Sequence, residues 1–99
     1  SQSDVRLLTY LTEKSSDIGL DTPPMNPKGA VAVGDGRIMK SSVELTLTDV
    51  PLRKLVDFLS NVERGPGVVK VEHLSIEPRV LEKTVTARAT IAAYHLKKE

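Results

Sequence analysis

A two-layer α+β sandwich is the fold that this 99-residue chain predicts. Three observations carry that prediction. Ser42–Thr48 alternates, with Val43, Leu45 and Leu47 on one side and Glu44, Thr46 and Thr48 on the other, which is the pattern of a half-buried strand. Pro51–Glu63 repeats apolar residues at helical spacing. A long last strand, Thr84–Tyr94, sets Val85, Ala87, Ala89, Ile91 and Ala93 against Thr84, Thr86, Arg88, Thr90 and Tyr94. One sheet face then needs a helical cover while the other is polar, and such a sheet forms two layers.

The elements follow in order. Ser1–Ser16 reads as a helix, with Ser3 as a candidate N-cap and Asp4 in the first turn, where the helix dipole favours an acid. Leu7, Leu8 and Leu11 share one face, Ile18 extends it, and Gly19 is a natural stop. That leucine stripe favours docking on the sheet over a solvated tail. Pro23, Pro24 and Pro27 exclude a regular central strand in Leu20–Lys40. The first strand is therefore either an irregular edge strand at Leu20–Met25 or a short one at Gly29–Val33, before a Gly34-Asp35-Gly36 turn.

After the strand at Ser42–Thr48, Asp49 is the better-suited cap for a helix with Pro51 near its first position. Leu52, Leu55, Val56, Leu59 and Val62 form its stripe, with Phe58 beside it; Arg53, Lys54, Asp57, Ser60, Asn61 and Glu63 face out. Gly65-Pro66-Gly67 ends it. In Val68–Glu77, Val69 and Val71 have one parity and Leu74 and Ile76 the other. Either a β-bulge near Glu72-His73 returns all four to one face, or the strand crosses between two packing environments. Pro78 ends the strand and Arg79–Lys83 turns the chain. Two α-β-β units in tandem make a ferredoxin-like sandwich in circularly permuted order (αββαββ), an antiparallel sheet with two helices on one face.

Length and composition bound the function. Residues 1–99 make one domain. With only Tyr10, Phe58 and Tyr94 as aromatics, the core is aliphatic. Fourteen Lys+Arg against 13 Asp+Glu leave a net charge of +1, and Lys97-Lys98 is followed at once by Glu99. A nucleic-acid partner, which demands a basic face, is not expected. The absence of cysteine excludes disulfides and Cys-type zinc sites. No run approaches the ~20 apolar residues of a membrane span. The start at Ser1 is read as that of a fragment of a longer protein.

No constellation points to catalysis. His73 and His95 lack partners at metal-ligand spacing; His73 reads as a sheet-face or edge residue and His95 as part of a solvated tail. The Gly34-Asp35-Gly36 loop precedes a strand, so it is turn chemistry, whereas a phosphate loop needs a following helix. No Ser lies in a nucleophile-elbow context. RNA-binding versions of the fold need base-stacking aromatics on the outer sheet face, where this chain has Thr, Glu, Lys and Arg. The chain is not expected to be an enzyme, and no cofactor or metal is expected.

Val43-Glu44-Leu45-Thr46-Leu47, the Leu52-x-x-Leu55-Val56-x-Phe58-Leu59-x-x-Val62-Glu63 helix, the run Gly67–Pro78 and the final strand ending at Tyr94 together resemble the C-terminal periplasmic domain of the type II secretion protein M and PilO-like family. The Leu7-Leu8-x-x-Leu11 helix leading to Gly19-Leu20 also fits, so the resemblance spans nearly the whole chain. It implies a non-catalytic domain of a single-pass inner-membrane protein, attached to the membrane only through a preceding helix. It also implies pairing with itself and with sister platform proteins of similar fold, and it supplies no catalytic residues. The expected contact surface is the final strand (Thr84, Thr86, Arg88, Thr90), taken as a sheet edge, or the outward helix face (Arg53, Asp57, Asn61). On fold grounds alone a small-ligand regulatory module is the alternative.

Overall fold

The computed structural model describes residues 2–65 and 67–97, with side chains from Arg6 onward. Ser1, Lys98, Glu99 and Pro66, the middle of the expected Gly65-Pro66-Gly67 turn, lie outside the described residues. The element order is α1 (Gln2–Asp17), β1 (Met25–Val33), β2 (Ile38–Val50), α2 (Leu52–Arg64), β3 (Val68–Arg79) and β4 (Thr84–Leu96). This is the expected αββαββ sandwich. The four strands form one antiparallel sheet in the order β1-β2-β4-β3.

The core lies between the helices and one sheet face. Leu7 and Leu11 of α1 and Leu55, Phe58 and Val62 of α2 are buried on Val43, Leu45 and Leu47 of β2 and Val85, Ala87, Ala89 and Ile91 of β4. Small alanines on β4 let the helices approach the sheet. Phe58, expected at the margin of the stripe, is fully buried near its middle, while Leu52 and Val56 are exposed. Helical periodicity finds the apolar side of α2; packing against the sheet decides how far the helix is turned.

α1 is already helical at Gln2, so Ser3 lies inside the first turn instead of capping it. Its C-terminus is a Schellman closure: Leu20 N–H donates to the Ser15 carbonyl (2.9 Å) and Gly19 N–H to that of Ser16 (3.0 Å), with Gly19 at φ 76°. Thr12 and the buried Ser15 turn their hydroxyls back to the Leu8 and Thr12 carbonyls.

β1 is the second of the two expected alternatives, lengthened; of Leu20–Met25 only Met25 lies in the strand. It contains Gly29–Val33 and extends back to Met25, at the sheet edge, with a register break between Pro27 and Ala30. The proline is tolerated because no strand lies beyond it among the described residues. In the turn that follows, Arg37 N–H donates to Asp35 Oδ1 (3.1 Å) and Arg37 Nε pairs with Asp35 Oδ2 (3.2 Å), so Asp35 serves the turn itself.

Asp49 does not cap α2. A register shift between Leu47 and Val50 puts Asp49 at φ 54° and turns its carboxylate to Arg79 Nε (2.8 Å). Pro51 is the N-cap, without a side-chain cap bond. The same shift lets Val50 close that end of the core.

Of the two readings of β3, the structure has the bulge. Its register against β4 jumps between Val71 and His73, so Val69, Val71, Leu74 and Ile76 all face the helices, opposite Ala93, Ile91, Ala89 and Ala87. Pro78 does not end the strand; it pairs with Val85, and β3 runs on to Arg79. An edge strand admits proline because its missing N–H can face away from the ladder. β4 also runs past Tyr94, so His95 sits in the strand, opposite Met39, and not in a tail.

Candidate interaction surfaces

The outer sheet face carries one organised polar cluster. The register brings Lys40 of β2 opposite Tyr94 of β4, and the bulge presents Glu72 beside them. Lys40 Nζ lies 2.6 Å from Glu72 Oε1, and the Tyr94 hydroxyl donates to Glu72 Oε2. Lys40 Nζ also sits 5.9 Å from the centre of the Tyr94 ring. The hydrogen bonds from Lys40 and then Tyr94 hold the Glu72 carboxyl below its ordinary range. The Glu72 carboxylate in turn raises Lys40 and Tyr94 above theirs. Ala92, two residues before Tyr94 on the same face of β4, is fully buried although it points away from the helices. Each pair is complementary and satisfied, so the cluster ties three strands together; it offers no poised acid or base.

Toward the other end the outer face is the Thr-rich surface expected, with Arg88 opposite Thr46 and Ser75. Around the polar cluster it also exposes Val31, Ile38, Val68 and Leu96, so the expectation of a uniformly polar face needs correction. Those positions lie where the strands outrun alternation with polar residues.

The expected contact residues are scattered by the fold. Thr84, Thr86, Arg88 and Thr90 lie on β4, which is an inner strand between β2 and β3, so they line a sheet face and not an edge. Thr84, Thr86 and Thr90 are half-buried, and Arg88 is exposed. Arg53 and Asp57 are exposed on α2. Asn61 is half-buried instead, its Nδ2 donating to the Lys14 carbonyl (3.4 Å), and so it joins α2 to α1. His73 is exposed on the edge strand, opposite Thr90, as expected.

α1 and α2 are locked together where Tyr10 crosses between them. Its hydroxyl donates to the Val62 carbonyl, one of the last carbonyls of α2, which helix geometry leaves without a partner. Burial pushes the Tyr10 phenol up, opposed by a backbone hydrogen bond at Gly65. Gly65 is required by this approach: a Cβ there would lie 1.8 Å from the Tyr10 hydroxyl.

The most conspicuous exposed surface was not expected. Leu74 (45% exposed) and Ile76 (42%) lie on the helix side of β3, and Leu52 (53%) and Val56 (51%) are exposed on α2. Residues 52, 56, 59 and 63 form one line along a helix. From that line Glu63 Oε2 accepts the Val71 N–H (3.2 Å), so Leu52 and Val56 flank β3. The apolar flank continues to the β3–β4 turn, where Val80 and Leu81 are exposed. The molecule is 52 Å long, and helices of 16 and 13 residues span only about 24 and 20 Å. They leave the margin and the ends of the sheet bare.

A separate open cleft of about 340 Å³ lies between Gly19–Pro24 and Thr46–Pro51, with Lys54 at its wall. Among the described residues no group of three His, Cys, Asp or Glu is arranged to hold a metal ion, and no helix is long and apolar enough to cross a membrane.

No protein-family model matches the chain. No curated protein matches it by sequence. Among solved structures, the chain is similar to the type 4 fimbrial biogenesis protein PilO from Pseudomonas aeruginosa, with a TM-score of 0.75, 19% identity, and coverage of 98% of this chain and 72% of that one. The chain has the PilO fold. The resemblance drawn from the Val43–Leu47 strand, the Leu52–Glu63 helix and the strands after it therefore holds at the level of fold, over nearly every residue.

Proposed function

We propose that this domain is a non-catalytic scaffolding unit of the inner-membrane platform of a type IV pilus or type II secretion machine. It acts by pairing with itself and with sister proteins of similar fold, on the periplasmic side of the membrane. The observation that carries this reading is the PilO likeness over 98% of the chain. The polar surface agrees with it: Lys40–Glu72, Lys28–Glu44 and Asp49–Arg79 are ion pairs between different strands, an arrangement that ties strands together. The sheet faces and the helix surface offer protein contact instead, including Arg88 on β4 and Arg53 and Asp57 on α2. Fractionation of the source cells with an antibody to this domain tests the reading. A band well above 10.8 kDa that needs detergent for release is expected. A soluble band of the domain's own size would overturn it.

A second reading, a small-ligand regulatory module, draws on the cleft beside Lys54. A ligand that binds only the folded state raises the melting temperature. A thermal-shift screen of small anions and metabolites that moves the midpoint, and loses that shift on Lys54→Ala, would favour it.

A further inference from the structure

We infer that two copies of this chain join edge to edge through β3, in an antiparallel pair whose two-fold axis passes at Ser75. The inference rests on the scaffolding reading and names the surface that such pairing would use.

β3 is an edge strand, with β4 on one side and no strand beyond it among the described residues. Edge strands recruit other strands unless they are blunted. At Val71 the edge is occupied, since its N–H is taken by Glu63, and the bulge follows at Glu72. At Pro78 no N–H exists. Between these points His73–Glu77 has no bulge, proline, glycine or lysine. Pro78 can sit in a paired strand only if its missing N–H faces outward. Backbone direction alternates along a strand, so the N–H and C=O of Leu74 and Ile76 face outward too.

That segment is self-complementary. With the axis at Ser75, Leu74 of one copy lies opposite Ile76 of the second, and these two exchange their outward N–H and C=O groups. His73 lies opposite Glu77 on the outer face, an imidazole against a carboxylate, and the symmetry makes each contact twice. On the helix side, the half-exposed Leu74 and Ile76 of both copies become contiguous. Val56 lies about 10 Å along α2 from Glu63, and Ser75 is a similar distance along β3 from Val71. The axis therefore also brings the exposed Val56 and Leu52 flanks of the two α2 helices toward each other, over Leu74 and Ile76. The result is one eight-stranded sheet with its apolar margin covered at the centre. A shift of the axis by one residue would pair Leu74 with itself or Ile76 with itself and lose the His73–Glu77 contacts.

The chain has no cysteine, so a single introduced thiol reports directly. A pair across the axis at Ser75 is of the non-hydrogen-bonded kind, with Cα atoms about 4.5 Å apart, within the range of a disulfide. Ser75→Cys in the 99-residue chain is expected to form a disulfide-linked dimer under mild oxidation, while Arg88→Cys on β4 and Val31→Cys on β1 stay monomeric on the same gel. In sedimentation equilibrium, Ile76→Lys is expected to weaken the dimer about tenfold or more, by placing a charge in the covered margin. It should keep the wild-type circular dichroism, because Ile76 is already half-exposed. A wild-type dimer that ignores Ile76→Lys and resists cross-linking at residue 75 would overturn the β3 interface and leave the scaffolding reading standing. A wild type that stays monomeric at millimolar concentration, with no cross-link at residue 75, would also overturn it; the scaffolding reading would then rest on the fractionation result alone.

Discussion

The two edges of this sheet are built differently. β1 carries Pro27, a register break through Lys28-Gly29, and a Lys28–Glu44 ion pair (3.1 Å). Each is a device that discourages a further strand. β3 has its bulge and its proline near the two ends, and between them a plain stretch flanked by exposed Leu74 and Ile76. The hairpin tips repeat the contrast. Gly34–Arg37 is closed by Asp35 hydrogen bonds, whereas the tip after β3 exposes Val80 and Leu81. Both edges lie beside a helix, β1 by α1 and β3 by α2. What separates them is whether the side chains and backbone of the edge are already satisfied within the chain.

The largest effect tests whether α2 is seated as the β3 flank requires. Phe58 is fully buried between α2 and the sheet, and Phe58→Ala should cost about 3–5 kcal/mol of stability in urea unfolding. A loss below ~1 kcal/mol would mean that α2 is turned differently and that Leu52 and Val56 do not flank β3. Next, Gly65→Ala should cost about 1–3 kcal/mol through overpacking against Tyr10. Its backbone (φ −69°, ψ 173°) suits any residue, so the cost is steric. Tyr10→Phe in the same chain should recover only part of it, because ring carbons also lie 2.6 Å from the added Cβ. Full recovery would place the clash at the hydroxyl alone.

The bulge that separates the blunted part of β3 from the plain part can be probed by pH. Glu72 is lowered from its ordinary value by Lys40 and Tyr94. Its contribution is present above the ordinary carboxylate range and is lost as pH falls through the lowered folded value. Lys40 is raised, so its share is present below the ordinary lysine range and is lost as pH rises through the raised value. Stability should therefore be flat near neutrality and fall toward both extremes. Glu72→Gln should flatten both limbs, and an acid limb unchanged by that substitution would remove the cluster from the account. Both groups are partly open to solvent, so the effect is modest. Smallest of all, Lys28→Val should change stability by less than about 0.5 kcal/mol. It should raise light scattering at high concentration by making β1 more like β3. Unchanged scattering would assign the protection of β1 to Pro27 and the register break alone.

Much of the fold is written in local pattern. The irregularity of β3 was legible because Val69 and Val71 differ in parity from Leu74 and Ile76, but that parity left a bulge and a crossing strand both open, and only the register against β4 decided for the bulge. The turn at Gly34–Arg37 was legible in its glycines. The extent of β1 was not, since Pro27 argues against a strand unless that strand is known to lie at an edge. The same lack of neighbour information made β4 look like an edge and Asp49 like a cap. Asp49 is drawn away by Arg79, thirty residues further on. None of the exposed β3 flank was visible: Leu52, Val56, Leu74 and Ile76 have the spacing of core residues, and nothing local distinguishes them from Leu55 or Leu45.

By itself the sequence determined the order of the elements and the apolar face of β2, α2 and β4. Alternation, helical spacing and turn residues act within a few bonds of one another. Only the tertiary structure decided the strand order, the rotation of α2 and the reach of the helices across a longer sheet. Those depend on which residues, far apart in the chain, share the finite area beneath two short helices. That shortage of cover is what leaves the β3 margin bare.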